Sequence, residues 1–277
     1  MRIGYIPLLF GMLFLFGCTA QSSTEQVKII GSDTMVILGQ AWAEKYMELN
    51  PDKSVSITGG GSGVGIAALI EGNVDIAQAS REMKSSEIEN AEANGIVPVE
   101  TIVAYDGIAI IVNPSNRIEQ LTIGQVGAIF KGRIRNWKDV GGNDGEIGIY
   151  SRESSSGTYE FMKDHVLKKD DYASDAKYSS GNAAIVESIS QDVTGIGYVG
   201  VAYAKQRSDV RILRISSVEG GIAYTPAKES VMNKNYPIAR SLNFYTNGEP
   251  TGKTKEFIDF VLGSGGIEIA EDVGYFG

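Results

Sequence analysis

Val27-Lys28-Ile29-Ile30-Gly31-Ser32-Asp33-Thr34-Met35 begins as a short β-branched run, turns on a glycine and small polar residues, and leads into a helix. The helix is signalled by Met35, Leu38, Trp42, Tyr46 and Leu49, whose three- and four-residue steps put them on one buried face. A strand that runs directly into a covering helix is the building unit of a parallel sheet. Short apolar runs recur at Ser54–Thr58, Val74–Gln78, Ile108–Val112, Ile147–Tyr150, Ile196–Val199 and Leu242–Tyr245. Helical stretches separate them, and several carry their own end signals. Ser85-Ser86 precedes Glu87–Asn94 with Gly95 behind, Thr122 precedes Val126–Phe130, and Asn182 precedes Ala183–Ser190. A last helix is expected over Thr254–Leu262. The fold class is therefore α/β, with enough alternation for two domains and no linker between them. Continuous strands at a hinge solve that connection, and Ala104–Pro114 and Tyr236–Asn247 are the candidates.

Three loops share the design of the first: Gly31-Ser32-Asp33-Thr34, Gly59-Gly60-Gly61-Ser62-Gly63-Val64-Gly65 and Ser154-Ser155-Ser156-Gly157-Thr158. Each stands between a strand and a helix. A helix start leaves backbone N–H groups unpaired and carries partial positive charge, so it stabilises an oxyanion without a formal cation. Glycine permits close backbone approach, and hydroxyls add donors. Singly, each loop reads as an ordinary helix cap. Arg152 and Arg81 stand beside them, and a guanidinium matches two oxygens of one tetrahedral anion. Solvated surface charge is the competing reading for both arginines.

The chain has 277 residues and a formal net charge of −9. Residues 1–17 form an export signal in outline: Arg2, then an apolar core over Ile6–Phe16 too short to span a bilayer. Leu15-Phe16-Gly17-Cys18 followed by a polar tether resembles a bacterial lipoprotein processing site, which implies cleavage before Cys18 and acylation of its thiol. Removing residues 1–17 takes away one positive charge, so the mature chain stands at −10. Such acidity argues against general nucleic-acid binding. With Cys18 the only cysteine, no disulfide can form within the chain.

Enzymatic readings fare poorly. Neither Ser62 nor Ser156 lies in a G-x-S-x-G elbow, and the only histidine, His165, falls two turns beyond its loop. Gly248–Thr254 is one residue short of a Walker A loop. No His/Cys cluster points to a metal, and no cofactor is expected.

The chain after Cys18 resembles the phosphate-binding proteins of ABC phosphate importers. The matching segments are GSDTM (31–35), GGGSGVG (59–65), DIAQASR (75–81), AYDGIAIIVNP (104–114), IFKGRIRNWKDVGG (129–142), SRESSSGTYEFM (151–162) and GIGYVGVAYAK (195–205). The resemblance implies a type II periplasmic-binding-protein fold: two α/β domains joined by two hinge strands, the ligand cleft between them. On this chain they would be residues 27–105 with 240–277, and residues 106–239, preceded by the signal peptide (1–17) and a lipid-anchored tether (18–26). It further implies an exported monomer that binds inorganic phosphate and delivers it to membrane permease subunits, held to the bilayer through acylated Cys18. The contacts carried over are Asp33, Thr34, Ser62, Arg152, Ser156, Gly157 and Thr158.

Where many relatives of that family have an aspartate that accepts the proton of phosphate, this chain has Arg81. A carboxylate acceptor excludes sulfate, which has no proton to donate at neutral pH. Asp33 and Asp106 are the candidates to replace it, with Glu153 a third, and Arg81 would assist as a second cation. Alternatively Asp106 pairs with Arg81 and touches no ligand. The other tetrahedral oxyanions, sulfate, molybdate and tungstate, are the runner-up ligands; a phosphate-ester hydrolase is the alternative from another class.

Overall fold

A computed structural model describes residue 1 and residues 25–277; the expected signal peptide, Cys18 and nearly all of the 18–26 tether lie outside the described residues. The strands are β1 (Glu25–Gly31), β2 (Lys53–Thr58), β3 (Ile76–Ala79), β4 (Pro98–Val112), β5 (Gln120–Thr122), β6 (Gly148–Arg152), β7 (Lys177–Ser179), β8 (Gly195–Gly200), β9 (Arg211–Ile212), β10 (Arg214–Ser216), β11 (Ala223–Tyr224) and β12 (Ala239–Asn247). The helices are α1 (Val36–Leu49), α2 (Ser62–Ile70), α3 (Ser85–Ala93), α4 (Ile123–Phe130), α5 (Gly157–Phe161), α6 (Asn182–Gln191), α7 (Lys228–Met232), α8 (Gly252–Leu262) and α9 (Ser264–Val273). No helix among the described residues is long and apolar enough to cross a membrane.

Nine strands join in one sheet, ordered β2-β1-β3-β12-β4-β8-β6-β7 with β9 beside β4. At one end β1 pairs in parallel with β2 and β3; at the other β6 pairs in parallel with β7 and β8. The two antiparallel strands β4 and β12 run between these parallel groups. Their pairing extends from Ala239↔Gly107 to Asn247↔Pro98, with a register shift at Leu242/Asn243. The far half of β4, Ile108–Val112, pairs with β8 instead. β4 and β12 thus link the two parallel groups, β12 pairing with β3 at one end and β4 with β8 at the other. A small second sheet, β11-β10-β5, lies off this path.

Side-chain packing divides at the same strands. One core draws on Val27, Ile29, Leu38, Trp42, Phe244, Phe257 and Tyr275. Another draws on Ile108, Phe130, Trp137, Ile196, Tyr198, Leu213 and Ile215. We call these the first and second lobes.

The expected hinge strand begins earlier than its sequence indicated. Residues 98–105 precede the apolar run and are laced with exposed positions, so they carry no continuous hydrophobic signal, yet they form the longest ladder with β12. Helix α9 lies beyond the last helix that the sequence indicates, Thr254–Leu262, and follows α8 across Gly263. Gly266 lets the chain pack against Val261, and its carbonyl accepts the Trp42 indole N–H at 2.8 Å.

Candidate anion-binding site

Each of the three loops leaves the end of a strand, and the sheet order brings those ends together. Gly31 ends β1, Thr58 ends β2 ahead of the glycine loop, Arg152 ends β6 ahead of the serine loop, and the segment after β3 adds Ser80 and Arg81. β1 and β3 are neighbours, so Ser32 N–H bonds the Gln78 carbonyl at 2.7 Å and Ser32 Oγ donates to Ser80 Oγ at 2.8 Å. Ser62, first residue of α2, accepts the Ser80 N–H at 3.1 Å. These contacts build the first lobe's half of the site.

The second lobe contributes β6 and α5. Ser156 caps α5, its Oγ accepting from the N–H groups of Thr158 and Tyr159. The helix then widens into a π-turn over Met162–Val166. The two halves meet directly: Thr34 Oγ1 lies 3.0 Å from Thr158 Oγ1, and Gly63 N–H donates to the Ser155 carbonyl at 3.1 Å. Gly157 faces Ser62 so closely that any Cβ there would overlap Ser62 Oγ and Ser80 Oγ. Gly61, at φ +107°, likewise leaves no room for a Cβ beside the Ser155 carbonyl. Residues 33, 34, 62, 152, 156, 157 and 158 are therefore brought together, with Ser62, Arg152 and Thr158 at most 1% exposed.

Arg152 is the unusual member. Its Nη2 donates to the Ser180 carbonyl at 3.0 Å and lies 3.4 Å from Asp33 Oδ2. Its Nε and Nη1 are buried and have no hydrogen-bond partner among the described residues, leaving three N–H donors unspent. Burial lowers the guanidinium pKa, against the pull of Asp33. Leaving buried donors unmade costs about 1–3 kcal/mol per group, and more when charged, so this residue is assembled for a negatively charged partner.

Asp33 reaches across the lobes. Its Oδ2 accepts from Asn182 N–H at 2.9 Å and Asn182 Nδ2 at 2.7 Å, making it the acidic cap of α6. Asn182 was read as that helix's own cap; it stands inside the helix, and its Oδ1 takes Gly200 N–H instead. Asp33 Oδ1 accepts no bond from the described residues.

Asp106 pairs with Arg240 and not with Arg81. Its Oδ2 accepts from Arg240 Nε and Nη2 at 3.1 and 2.8 Å, and its Oδ1 from Val201 N–H at 3.1 Å. Burial raises its pKa, opposed by the Arg240 charge and these bonds. Arg81 turns away: its fork closes on Glu87, two bonds of 2.7 Å, and a third goes to the Glu82 carbonyl. Ser80, Asn182 and Arg240 are the members that motif reading missed. Arg240 had a signal, since a lone charge inside the apolar Tyr236–Asn247 strand is rarely left without a buried partner. Beside it, a cleft of about 620 Å³ opens to solvent between the lobes, lined by Arg81, Lys84, His165, Lys169 and Arg240 among others. The exposed His165 stacks on Phe161 there and lies outside the ring of buried hydroxyls. Among the described residues no group of three or more His, Cys, Asp or Glu side chains is placed to hold a metal ion.

Comparison with known proteins fits this geometry. Residues 19–264 match the model of the PBP superfamily domain. The phosphate-binding protein PstS of Borreliella burgdorferi is 32% identical over 273 residues, covering 95% of this chain and 94% of that protein. PstS of Pseudomonas aeruginosa is 32% identical over 263 residues, covering 89% and 81%. A Clostridium perfringens substrate-binding protein assigned to phosphate ABC transport, solved with bound phosphate, superposes with a TM-score of 0.81 at 31% identity, covering 91% of this chain and 99% of the other.

Proposed function

Because the chain belongs to the PstS family of phosphate-binding proteins, within the periplasmic-binding-protein superfamily, we propose that it captures inorganic phosphate between its two lobes and delivers it to an ABC importer. The observation that carries this reading is Arg152, buried with three N–H donors and no partner for them. A tetrahedral anion accepts from all of these donors at once. The Ser62 hydroxyl, one hydroxyl of the Thr34–Thr158 pair, and the Ser62 and Gly157 N–H groups at the starts of α2 and α5 supply the remaining donors.

Phosphate differs from sulfate by the proton it carries, so discrimination needs an acceptor within the ring. Both oxygens of Asp106 are engaged, whereas Asp33 keeps Oδ1 free of any donor among the described residues. The acceptor role therefore falls to Asp33. Arg81, closed on Glu87, serves the rim and not the ligand.

On this reading the protein binds and releases phosphate without turnover, and a phosphatase assay should detect none. Acylation of Cys18 would hold it at the outer face of the membrane as a monomer, beside the permease subunits. Calorimetric titration of the tagless mature protein tests the whole reading: phosphate binds tightly and excess sulfate scarcely competes. Equal affinity for the two anions would remove Asp33 from its role. No heat with phosphate would end the assignment.

A further inference from the structure

The two arginines at the centre of the site differ in one countable respect. Arg152 keeps three of its five N–H donors unspent. Arg240 keeps none: Nε and one Nη2 donor go to Asp106 Oδ2, the other Nη2 donor reaches toward Thr34 Oγ1 at 3.5 Å, and Nη1 serves the Ser80 carbonyl at 2.9 Å and Thr158 Oγ1 at 3.1 Å. A guanidinium so occupied has nothing to offer a ligand. Its cost of burial is met by the Asp106 carboxylate, itself fully buried and anchored by Val201 N–H.

Resting on the phosphate reading above, we propose that Arg240 is a positioning residue that fixes the polarity of the Thr34 and Thr158 hydroxyls without touching the anion. A hydroxyl both donates and accepts. Once Arg240 donates to an oxygen, that lone pair is used and the hydroxyl proton must point elsewhere. The threonines lie 3.0 Å apart, so one proton satisfies the other oxygen and the second is delivered to the ligand. The ring is thereby held as a donor, suited to an oxyanion.

The same contacts explain why the residue stands on β12. Thr34 follows β1 in the first lobe and Thr158 lies in α5 of the second, while Asp106 sits on β4, the other strand running through both lobes. Only a side chain rooted between the lobes reaches all of these partners. The fork closes fully when the threonines meet, so Arg240 makes donor polarity a property of the closed state.

The test is calorimetric, with phosphate as the probe, on wild type, Arg240→Ala, Arg240→Lys, Thr158→Val and the Thr158→Val/Arg240→Ala double variant. Each is checked for native circular dichroism and a cooperative melt before titration. Arg240→Ala should weaken phosphate binding about ten- to a hundred-fold. Arg240→Lys, which keeps the charge and loses the fork, should not rescue it. The double variant should bind no more weakly than the worse single variant, since both changes remove one arrangement. Rescue by lysine, or losses that multiply in the double variant, would show Arg240 acting directly on the anion and overturn the proposal. If Arg240→Ala fails to melt cooperatively, Arg240→Lys against Thr158→Val decides by the same criteria. Failure of wild type to bind phosphate would instead defeat the underlying reading, so the two failures are separable.

Discussion

Arg152 makes a residue-level trade visible. A buried guanidinium with unspent donors destabilises the empty protein and stabilises the filled one. Arg152→Met keeps the volume and removes the charge, so it should abolish measurable phosphate binding while the ligand-free protein melts at the same temperature or higher. A fall in the ligand-free midpoint together with retained affinity would mean that the guanidinium is structural. At Arg81 the reverse holds. Glu87→Gln breaks a bidentate pair whose carboxylate also receives Lys84 N–H at 2.8 Å, and should lower stability by about 1–3 kcal/mol in urea denaturation with phosphate affinity unchanged. In the sequence both arginines stand beside hydroxyl-bearing residues, Arg152 one residue before the serine run and Arg81 at the end of the strand-like segment that closes on Ser80. What separates them is the carboxylate six residues beyond Arg81, brought beside it when α3 forms. The contact is local in sequence, but it depends on how the chain turns between β3 and α3, which residue type and spacing leave open.

At the level of elements, most of the site was legible because its signals are local. A strand, a small-residue turn and a helix start are consecutive in the chain, and three such segments name Thr34, Ser62 and Thr158 at once. Arg240 and Ser80 were not legible because neither stands in a loop of that design; they reach the site only through strand pairing, β12 against β3 and β4. The glycines of the second loop give a sharper test than its serine. Gly61, at φ +107° and ψ 154°, is in a region that only glycine adopts readily and that costs a residue with Cβ about 1–3 kcal/mol, and its missing side chain leaves space for the Ser155 carbonyl of the other lobe. Gly61→Ala should therefore lower the ligand-free melting temperature by only a few degrees, from the backbone cost. Phosphate affinity should fall at least about ten-fold, because the added methyl opposes closure. Equal effects on the two would show that the contact with Ser155 is indifferent to ligand.

For the whole molecule, the arrangement of cores determines how ligand and stability are linked. Each lobe packs its own apolar interior, and only β4 and β12 run through both. Phe276 and Ala202 make apolar contacts from one lobe to the other, and around the site the contacts are polar: Thr34 with Thr158, Asp33 with Asn182, and Lys84 with Glu160 at 2.8 Å across the cleft mouth. The exposed Lys84–Glu160 pair adds about 0–1 kcal/mol, and the buried Thr34–Thr158 contact and the Asp33–Asn182 bonds are a few single hydrogen bonds worth about 1 kcal/mol each. An anion taking up the Arg152 donors adds further attraction from inside. Phosphate at a thousand-fold excess over its dissociation constant should then raise stability by about 4 kcal/mol. For a chain of this size that is a rise of about 8–16 °C in the melting midpoint, independent of protein concentration if the protein is a monomer. Sulfate at the same concentration should produce almost none of it. Small-angle scattering supplies the structural half of the same prediction: phosphate should reduce the radius of gyration of wild type, whereas Arg152→Met should keep its ligand-free value throughout the titration. A phosphate-induced contraction in that variant would mean that closure is driven by groups other than the buried guanidinium.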